Sequence, residues 1–502
     1  MSPTVNIRHR LAPSDGNLPP RSPAFLLLAA FGLSLLYCPP VDFLFDDKEI
    51  FQYMGRLVAH GGIPYRDAFD HKPPLIFFFN AFGSWGLWLI DTTLVLLATF
   101  RFYRLCQHQR LPLPWLLPLL FNLLIRNYLV CLGIGMTRAY TAIFLLLFFC
   151  LLLSSNRHRY FWLGLLTAAT FLMQQDQVVI LLPLWLYTLR PSRTNRQSRE
   201  NPRPAALRNT LLTIAGGLTL TLPILLYFGA HHALADFYTD AFGFNFSWYT
   251  EKTSLGEHFR TTKEGLERSG CLMPLLLTIV LGAAAFPGRN KNKQLLLAAL
   301  AAVFLSFISE ALSSRSGPAF YYYFLPLAAS LPITVFVVWT GTEEPHLLGK
   351  RSQFLYGFLL CCIPLYNAGQ HATHLSLHNK DSITKQPEFE YLLRRQPADH
   401  QLYIFGDNNW VLAYNRLGIY SPSPWIYQHF WGWFDNWDAD HRQLRAIEAG
   451  LLQYKTQYVM DYSGVMHFWD PTARTEWQTF LATWYQPVVL PGAIRQSLWQ
   501  RK

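Results

Sequence analysis

Cysteine is scarce in this chain: there are seven, and none follows Cys362. No disulfide framework can be built from them, and the tail holds nothing that an oxidising compartment would cross-link. Charge is sparse as well. Asp, Glu, Lys and Arg make up 15% of the residues, and the surplus of 42 bases over 31 acids is dispersed rather than gathered into one patch. It falls in short breaks: Arg101, Arg104 and Arg110; Arg157 and Arg159; Arg190 to Arg208; Arg289, Lys291 and Lys293; Lys350 and Arg351. A nucleic-acid surface would concentrate its charge, so no nucleic-acid partner is expected; breaks of this kind read as cytoplasmic loops under the positive-inside rule. No internal repeat of the solenoid or inverted-transporter kind is visible.

What is abundant is apolar sequence. Over roughly the first 370 residues, runs of about 15 to 25 apolar residues recur between the basic breaks, the length needed to cross about 30 Å of hydrocarbon. Placing the breaks inside sets the parity. Residues 1–22 lie inside, and a retained helix covers about 23–40, because the run from Ala24 to Tyr37 offers no small-x-small cleavage site. An acidic loop over 41–72 lies outside. An interfacial helix from Pro73 to about Trp85 precedes one crossing. Helices at about 112–126 and 129–154 follow, with their tip near Arg126-Asn127 outside.

A short pair over 160–190 turns outside at Gln174-Gln175-Asp176-Gln177, and a helix covers 209–229. The aromatic-dense outer segment 230–270 suits a membrane interface. Helices at about 271–287, 294–312, 319–340 and 353–369 bring the expected count to about eleven, with the N-terminus inside. The division is a transmembrane module over 1–369, which includes the outer loop 41–72, and a soluble outer domain over 370–502.

That last domain alternates strand-like and helical text. Gln401 to Asp407 and Gln457 to Asp461 read as short strands, and Arg442 to Leu452 between them as a helix, which predicts a small α/β domain. The aromatic run Trp425 to Phe434 is either core or a surface facing lipid or a lipid-linked substrate.

Ionisable residues cluster in the first outer loop. Phe45-Asp46-Asp47-Lys48 is followed by His60-Gly61-Gly62-Ile63-Pro64-Tyr65-Arg66-Asp67-Ala68-Phe69-Asp70-His71-Lys72-Pro73-Pro74-Leu75. Charge held against a membrane is costly, so this is the site hypothesis by default. A carboxylate there can act as a general base toward a hydroxyl, and a Lys or Arg can neutralise a departing phosphate. Pro73-Pro74 would hold Lys72 rigidly. Plainer roles are open for each: Asp46 and Asp47 as an interfacial helix end, Lys72 as a snorkelling anchor, His71 as a neighbour, and Asp67 and Asp70 as loop-ordering groups with Arg66.

The Asp-x-x-x-Phe-x-Tyr text followed by His60 to Leu75 resembles the bacterial GT-C glycosyltransferases of the protein-O-mannosyltransferase-like and lipid A aminoarabinose-transferase-like kind. Gly164 to Pro183 and Tyr322-Tyr323-Phe324-Leu325-Pro326 are weaker echoes. The resemblance implies a polytopic α-helical GT-C protein with a small C-terminal α/β periplasmic domain. It implies inverting transfer from a polyprenyl-phosphate-linked sugar donor to a hydroxyl acceptor at the periplasmic face of the inner membrane. The catalytic aspartate is then Asp47 or its neighbour Asp46, and Lys72 binds phosphate.

Arg138, Arg315, His71 and Tyr322 are candidates on the donor side, and Asp176 on the acceptor side. Arg138 and Arg315 have the alternative role of interface anchors. Lys48 and Thr137-Arg138 depart from the family pattern, where acids are common. No cofactor is implied; the outer acids lack metal-ligand spacing, and a single divalent-metal site stays open. The rival reading is a flippase or transporter of a lipid-linked sugar, which would want charge deep within several spans.

Overall fold

The computed structural model describes residues 23–39, 46–126, 135–189, 202–247, 255–268, 271–285, 292–313, 321–341, 357–358, 362, 366, 385–406, 408–428, 438–462, 471–491 and 497–502. They group into two units. The first comprises Met1–Asp42, Trp88–Leu225 and Thr253–Ser376, and the second Phe43–Leu87, Leu226–Lys252 and Leu377–Lys502.

The first unit is helical because its apolar runs are uninterrupted. Thr137–Leu152 and Leu327–Gly341 are apolar on every face, and nearly all of their residues are buried by surrounding helices. Leu327–Gly341 packs against Leu116–Ile125, Thr137–Leu152, Leu272–Ala285 and Lys293–Ser313. A helix without a polar stripe has no face for water, so it takes the centre of a bundle. Gly83–His108 and Ala206–Ala230 are, among the described residues, the two helices long and apolar enough to cross a bilayer. Only 33% and 17% of their apolar windows are covered by protein, which leaves a large apolar surface on each.

The other apolar helices are shorter, Leu116–Ile125 and Thr137–Leu152 among them. Ten to sixteen residues rise about 15 to 24 Å, less than a full hydrocarbon core. Most of the expected 353–369 helix lies outside the described residues.

The Arg159–Met173 and Pro202–Ala230 helices touch backbone to backbone. A Cβ on Gly164 would come 2.0 Å from the Thr213 carbonyl oxygen, and one on Gly216 would come 1.9 Å from that of Phe161. Small residues at a crossing let two apolar helices gain dispersion contact where no hydrophobic drive separates protein from lipid.

Arg126, expected near a hairpin tip on the outer side, is 2% exposed and ion-paired with Asp91 of Gly83–His108. Its guanidinium also donates to Ser34 Oγ (3.3 Å), and Tyr37 Oη donates to its carbonyl oxygen. The partner lies 35 residues away in the chain, out of reach of a local reading.

The second unit holds a four-stranded sheet: β1 (Leu402–Phe405), β2 (Tyr458–Asp461), β3 (Tyr485–Pro487) and β4 (Leu498–Arg501), in the order β1-β2-β4-β3. β1 and β2 are parallel, as a helical crossover requires, and the other pairings are antiparallel. Tyr403 and Phe405 face Leu444, Ile447, Leu451 and Trp477, so the helices Arg442–Gln453 and Pro471–Trp484 cover one face. In the aromatic run, Ile426 and Tyr427 are buried and Gln428 binds Tyr403 Oη (2.8 Å) and the Gly406 amide (2.6 Å). These residues are core; 429–434 lie outside the described residues.

The 41–72 stretch is not a plain loop. Asp46–Ala59 is a helix, and it packs on Val411–Leu417. Asn415 donates to the Glu49 carboxylate (2.7 Å), Arg56 to the carbonyl oxygens of Tyr414 (3.0 Å) and Ile419 (3.1 Å), and the Ser421 amide to Tyr53 Oη (2.9 Å). The helix Asp46–Ala59 therefore falls in the same unit as the C-terminal residues.

The glycine crossing gives a direct check. Gly216→Ala should lower the melting temperature of the detergent-solubilised protein by several degrees, because the backbones must separate. Gly217→Ala, whose nearest contact is 3.8 Å away, should melt as the wild type does.

Candidate active site

In the second unit, Asp47 lies in the first turn of Asp46–Ala59, where the helix dipole favours a carboxylate, and it is half-buried. The side chain of Asp46 lies outside the described residues. The chain then leaves the helix through Gly61 at φ 84° and folds into a tight turn. The Ile63 amide donates to Asp67 Oδ2 (2.7 Å), the Tyr65 amide to Ala68 O (2.8 Å), and Arg66 pairs with Asp67 (2.8 Å). Asp67 and Arg66 thus order the loop. Tyr65 takes φ 71°, a left-handed conformation uncommon for a tyrosine, and its ring is packed against Phe77, Phe228 and Phe237.

The turn delivers Asp70-His71-Lys72, and three side chains fix that tripeptide. Asp70 Oδ1 accepts the Lys72 amide (2.7 Å), Tyr65 Oη donates to the Lys72 carbonyl (2.7 Å), and Asn245 Nδ2 donates to the His71 carbonyl (2.7 Å). Just before it, the Phe69 amide donates to Pro424 O (2.9 Å), and the Phe69 ring lies 4.6 Å from that of Trp425. Lys72 is half-buried. His71 is 8% exposed, with Nδ1 3.8 Å from Asp70 Oδ1 and its ring 5.5 Å from Phe244.

Electrostatics tie the expected pair together through Asp70. Burial pushes its carboxyl up to about 7; Lys72 pulls it down, and Asp47 pushes it further up. Asp47 and Lys72 therefore both act on one buried carboxyl. A second buried carboxyl, Asp240, is pushed up to about 8 by burial, then by Asp236 and Asp70. Asp240 lies in a single π-turn, Thr239–Gly243, a rare helical form often found at functional sites. Neither Asp240 nor Asn245 stands out in the sequence; the available signal was the i, i+4 spacing of Asp236 and Asp240 within an otherwise aromatic stretch.

The first unit holds a separate charged cluster. Arg138, in the first turn of Thr137–Leu152, is 3% exposed, and its guanidinium lies 3.8 Å from the Tyr323 ring centroid. Its Nη2 stands 3.9 Å from Asp176 Oδ2. Two expected site residues, placed on opposite substrate sides by the sequence reading, are thus an ion pair. Tyr322 lies on the 3-10 turn Tyr321–Phe324, with its side chain outside the described residues, as is Arg315. Among the described residues, no three His, Cys, Asp or Glu side chains are grouped as a metal ion would need.

No protein-family profile matches the sequence, and no curated protein does. Among solved structures, ArnT from Cupriavidus metallidurans, crystallised with undecaprenyl phosphate bound, superimposes with a TM-score of 0.52 and 12% identity. The match covers 78% of this chain and 84% of ArnT. The chain shares the fold of ArnT. The oligosaccharyltransferase of Archaeoglobus fulgidus is more distant, at a TM-score of 0.44 and 12% identity over 86% of this chain and 67% of that one. Asp47, Asp70 and Lys72 in the second unit, and Arg138 and Asp176 in the first, are charged residues that the sequence also singled out, the last two without pairing them.

Two outcomes follow from the held tripeptide. Asp70 binds its proton more tightly folded than unfolded, so the protein should lose stability as pH rises from about 4 to about 7. Asp70→Asn keeps the acceptor for the Lys72 amide and should flatten that part of the pH–melting profile. Asn245→Ala leaves the His71 carbonyl without its donor. It should lower the melting temperature by a few degrees, the loss of about 1 kcal/mol for a net hydrogen bond.

Proposed function

We propose that this protein is an inverting glycosyltransferase of the inner membrane. It moves a sugar from a polyprenyl-phosphate-linked donor to a hydroxyl of a lipid, envelope glycan or protein at the periplasmic face. The observation that carries the proposal is that Asp70 holds the Lys72 amide (2.7 Å) in the turn before Pro73-Pro74, in a chain with the fold of ArnT, a protein crystallised with undecaprenyl phosphate. About eleven spans, an inside N-terminus and an outside C-terminal domain complete the reading.

In this mechanism Asp47, or Asp46 beside it, takes the proton of the acceptor hydroxyl. The oxygen attacks the anomeric carbon from the face opposite the phosphate, and the new glycosidic bond forms as the carbon–oxygen bond to phosphate breaks. The electron pair stays on the phosphate oxygen, and Lys72 stabilises the charge that develops there. His71, packed against Asp70, supports the Lys72 turn. Arg138, Arg315 and Tyr322 belong to the donor side. The acids act on a proton and the bases on a phosphate, a division of labour that group transfer needs and that carriage of an intact donor does not.

Mass spectrometry of envelope glycolipids and glycoproteins, with and without the gene, should reveal one missing sugar. Asp47→Asn should fail to restore it while inserting normally. Restoration by Asp47→Asn and Asp46→Asn alike would overturn the assignment.

A further inference from the structure

The Arg138 cluster has a feature that phosphate binding alone does not explain. Its cation is the buried member, with a side chain 4% exposed, and its anion is the accessible one, at 34%. Arg138 also lies at the positive end of Thr137–Leu152, where a cation is disfavoured, so two positive fields meet at one point. A guanidinium in that position requires an anion, and leaving one uncompensated is costly.

The Asp176 carboxylate is placed to supply it. Gln174 Nε2 donates to its Oδ1 (2.7 Å) and Gln177 Nε2 to its Oδ2 (2.8 Å), while Gln174 Oε1 accepts from the Thr137 hydroxyl (2.9 Å). On the other side the Tyr323 ring, 3.8 Å away, and the Tyr323 carbonyl oxygen, 3.3 Å from Nη1, hold the guanidinium. The facing ions stay 3.9 Å apart, longer than the 2.7–2.9 Å of a charge-assisted hydrogen bond. Each ion is anchored by its own neighbours, so the bond between them can be exchanged without unravelling either.

We infer that Asp176 is the exchangeable counter-ion of Arg138. It neutralises the guanidinium while the site is empty and yields it to the phosphate monoester of a polyprenyl phosphate when that lipid is bound. The inference rests on the donor class proposed above, and it makes Asp176 a positioning residue for the leaving group instead of an acceptor-side acid. The carboxylate also repels the incoming phosphate, so the product binds less tightly than Arg138 alone would hold it, and it departs.

The test is the Kd of undecaprenyl phosphate for the full-length protein in detergent. Asp176→Asn keeps one of the two amide contacts through its carbonyl oxygen and removes the charge; it should tighten binding about five- to tenfold and lower kcat through slow product release. Arg138→Gln should weaken binding about tenfold or more. The Arg138→Gln, Asp176→Asn double variant leaves no unpaired charge to disrupt folding, and it should bind several-fold more tightly than Arg138→Gln alone. Unchanged or weaker binding in Asp176→Asn, or equal Kd values for the double variant and Arg138→Gln, would overturn the inference. A raised acceptor KM with an unaltered Kd would return Asp176 to the acceptor side. Failure of the wild type to bind undecaprenyl phosphate would instead sink the proposed function.

Discussion

The hydrogen bond from the Lys72 amide to Asp70 joins two demands that otherwise conflict. A carboxyl that is 1% exposed must satisfy its oxygens, and a lysine proposed to meet an anion must not spend its ammonium doing so. Giving Asp70 the backbone amide resolves both. The 2.7 Å contact fixes the peptide before Pro73, and Tyr65 and Asn245 hold the adjoining carbonyls. Geometry set by packed side chains and short hydrogen bonds is what preorganised electrostatic stabilisation requires. The strained φ of Tyr65 is held by its buried aromatic packing.

Much of this was legible in the sequence. The text from Asp47 to Leu75 carried the resemblance and the expected base and lysine, and the alternation of the tail located β1, β2 and the helix between them. The acids at the start of 46–59 make that stretch look like loop, although Ile50, Tyr53, Met54 and Leu57 carry a helical stripe. Tyr53 of that stripe, with Glu49 and Arg56, joins the segment to the C-terminal residues. Asp240 and Asn245 were not legible, since their meaning lies in contacts with residues about 170 positions earlier. β3 and β4 escaped for a related reason: three- and four-residue strands owe their conformation to the sheet they complete.

Buried charge follows one pattern in the first unit. Asp91 with Arg126, and Arg138 with Asp176, each join different helices or turns through opposite charges, and neither partner can be guessed from the other's sequence neighbourhood. The first pair is wholly buried and knits Gly83–His108 to the residue that ends Leu116–Ile125, a structural role. The second has an accessible member, and on that asymmetry rests the proposal that it is an exchangeable pair rather than a lock.

The central claim is chemical: the sugar–phosphate bond of a lipid-linked donor is broken by this protein. The most direct measurement incubates purified protein in detergent with a synthetic polyprenyl-phosphate sugar and an envelope extract as acceptor, and follows free polyprenyl phosphate by phosphorus NMR. The account predicts its release, with the sugar recovered on an acceptor hydroxyl in inverted anomeric configuration. An intact donor in detergent, together with movement of the same lipid across vesicles containing the protein, would contradict it.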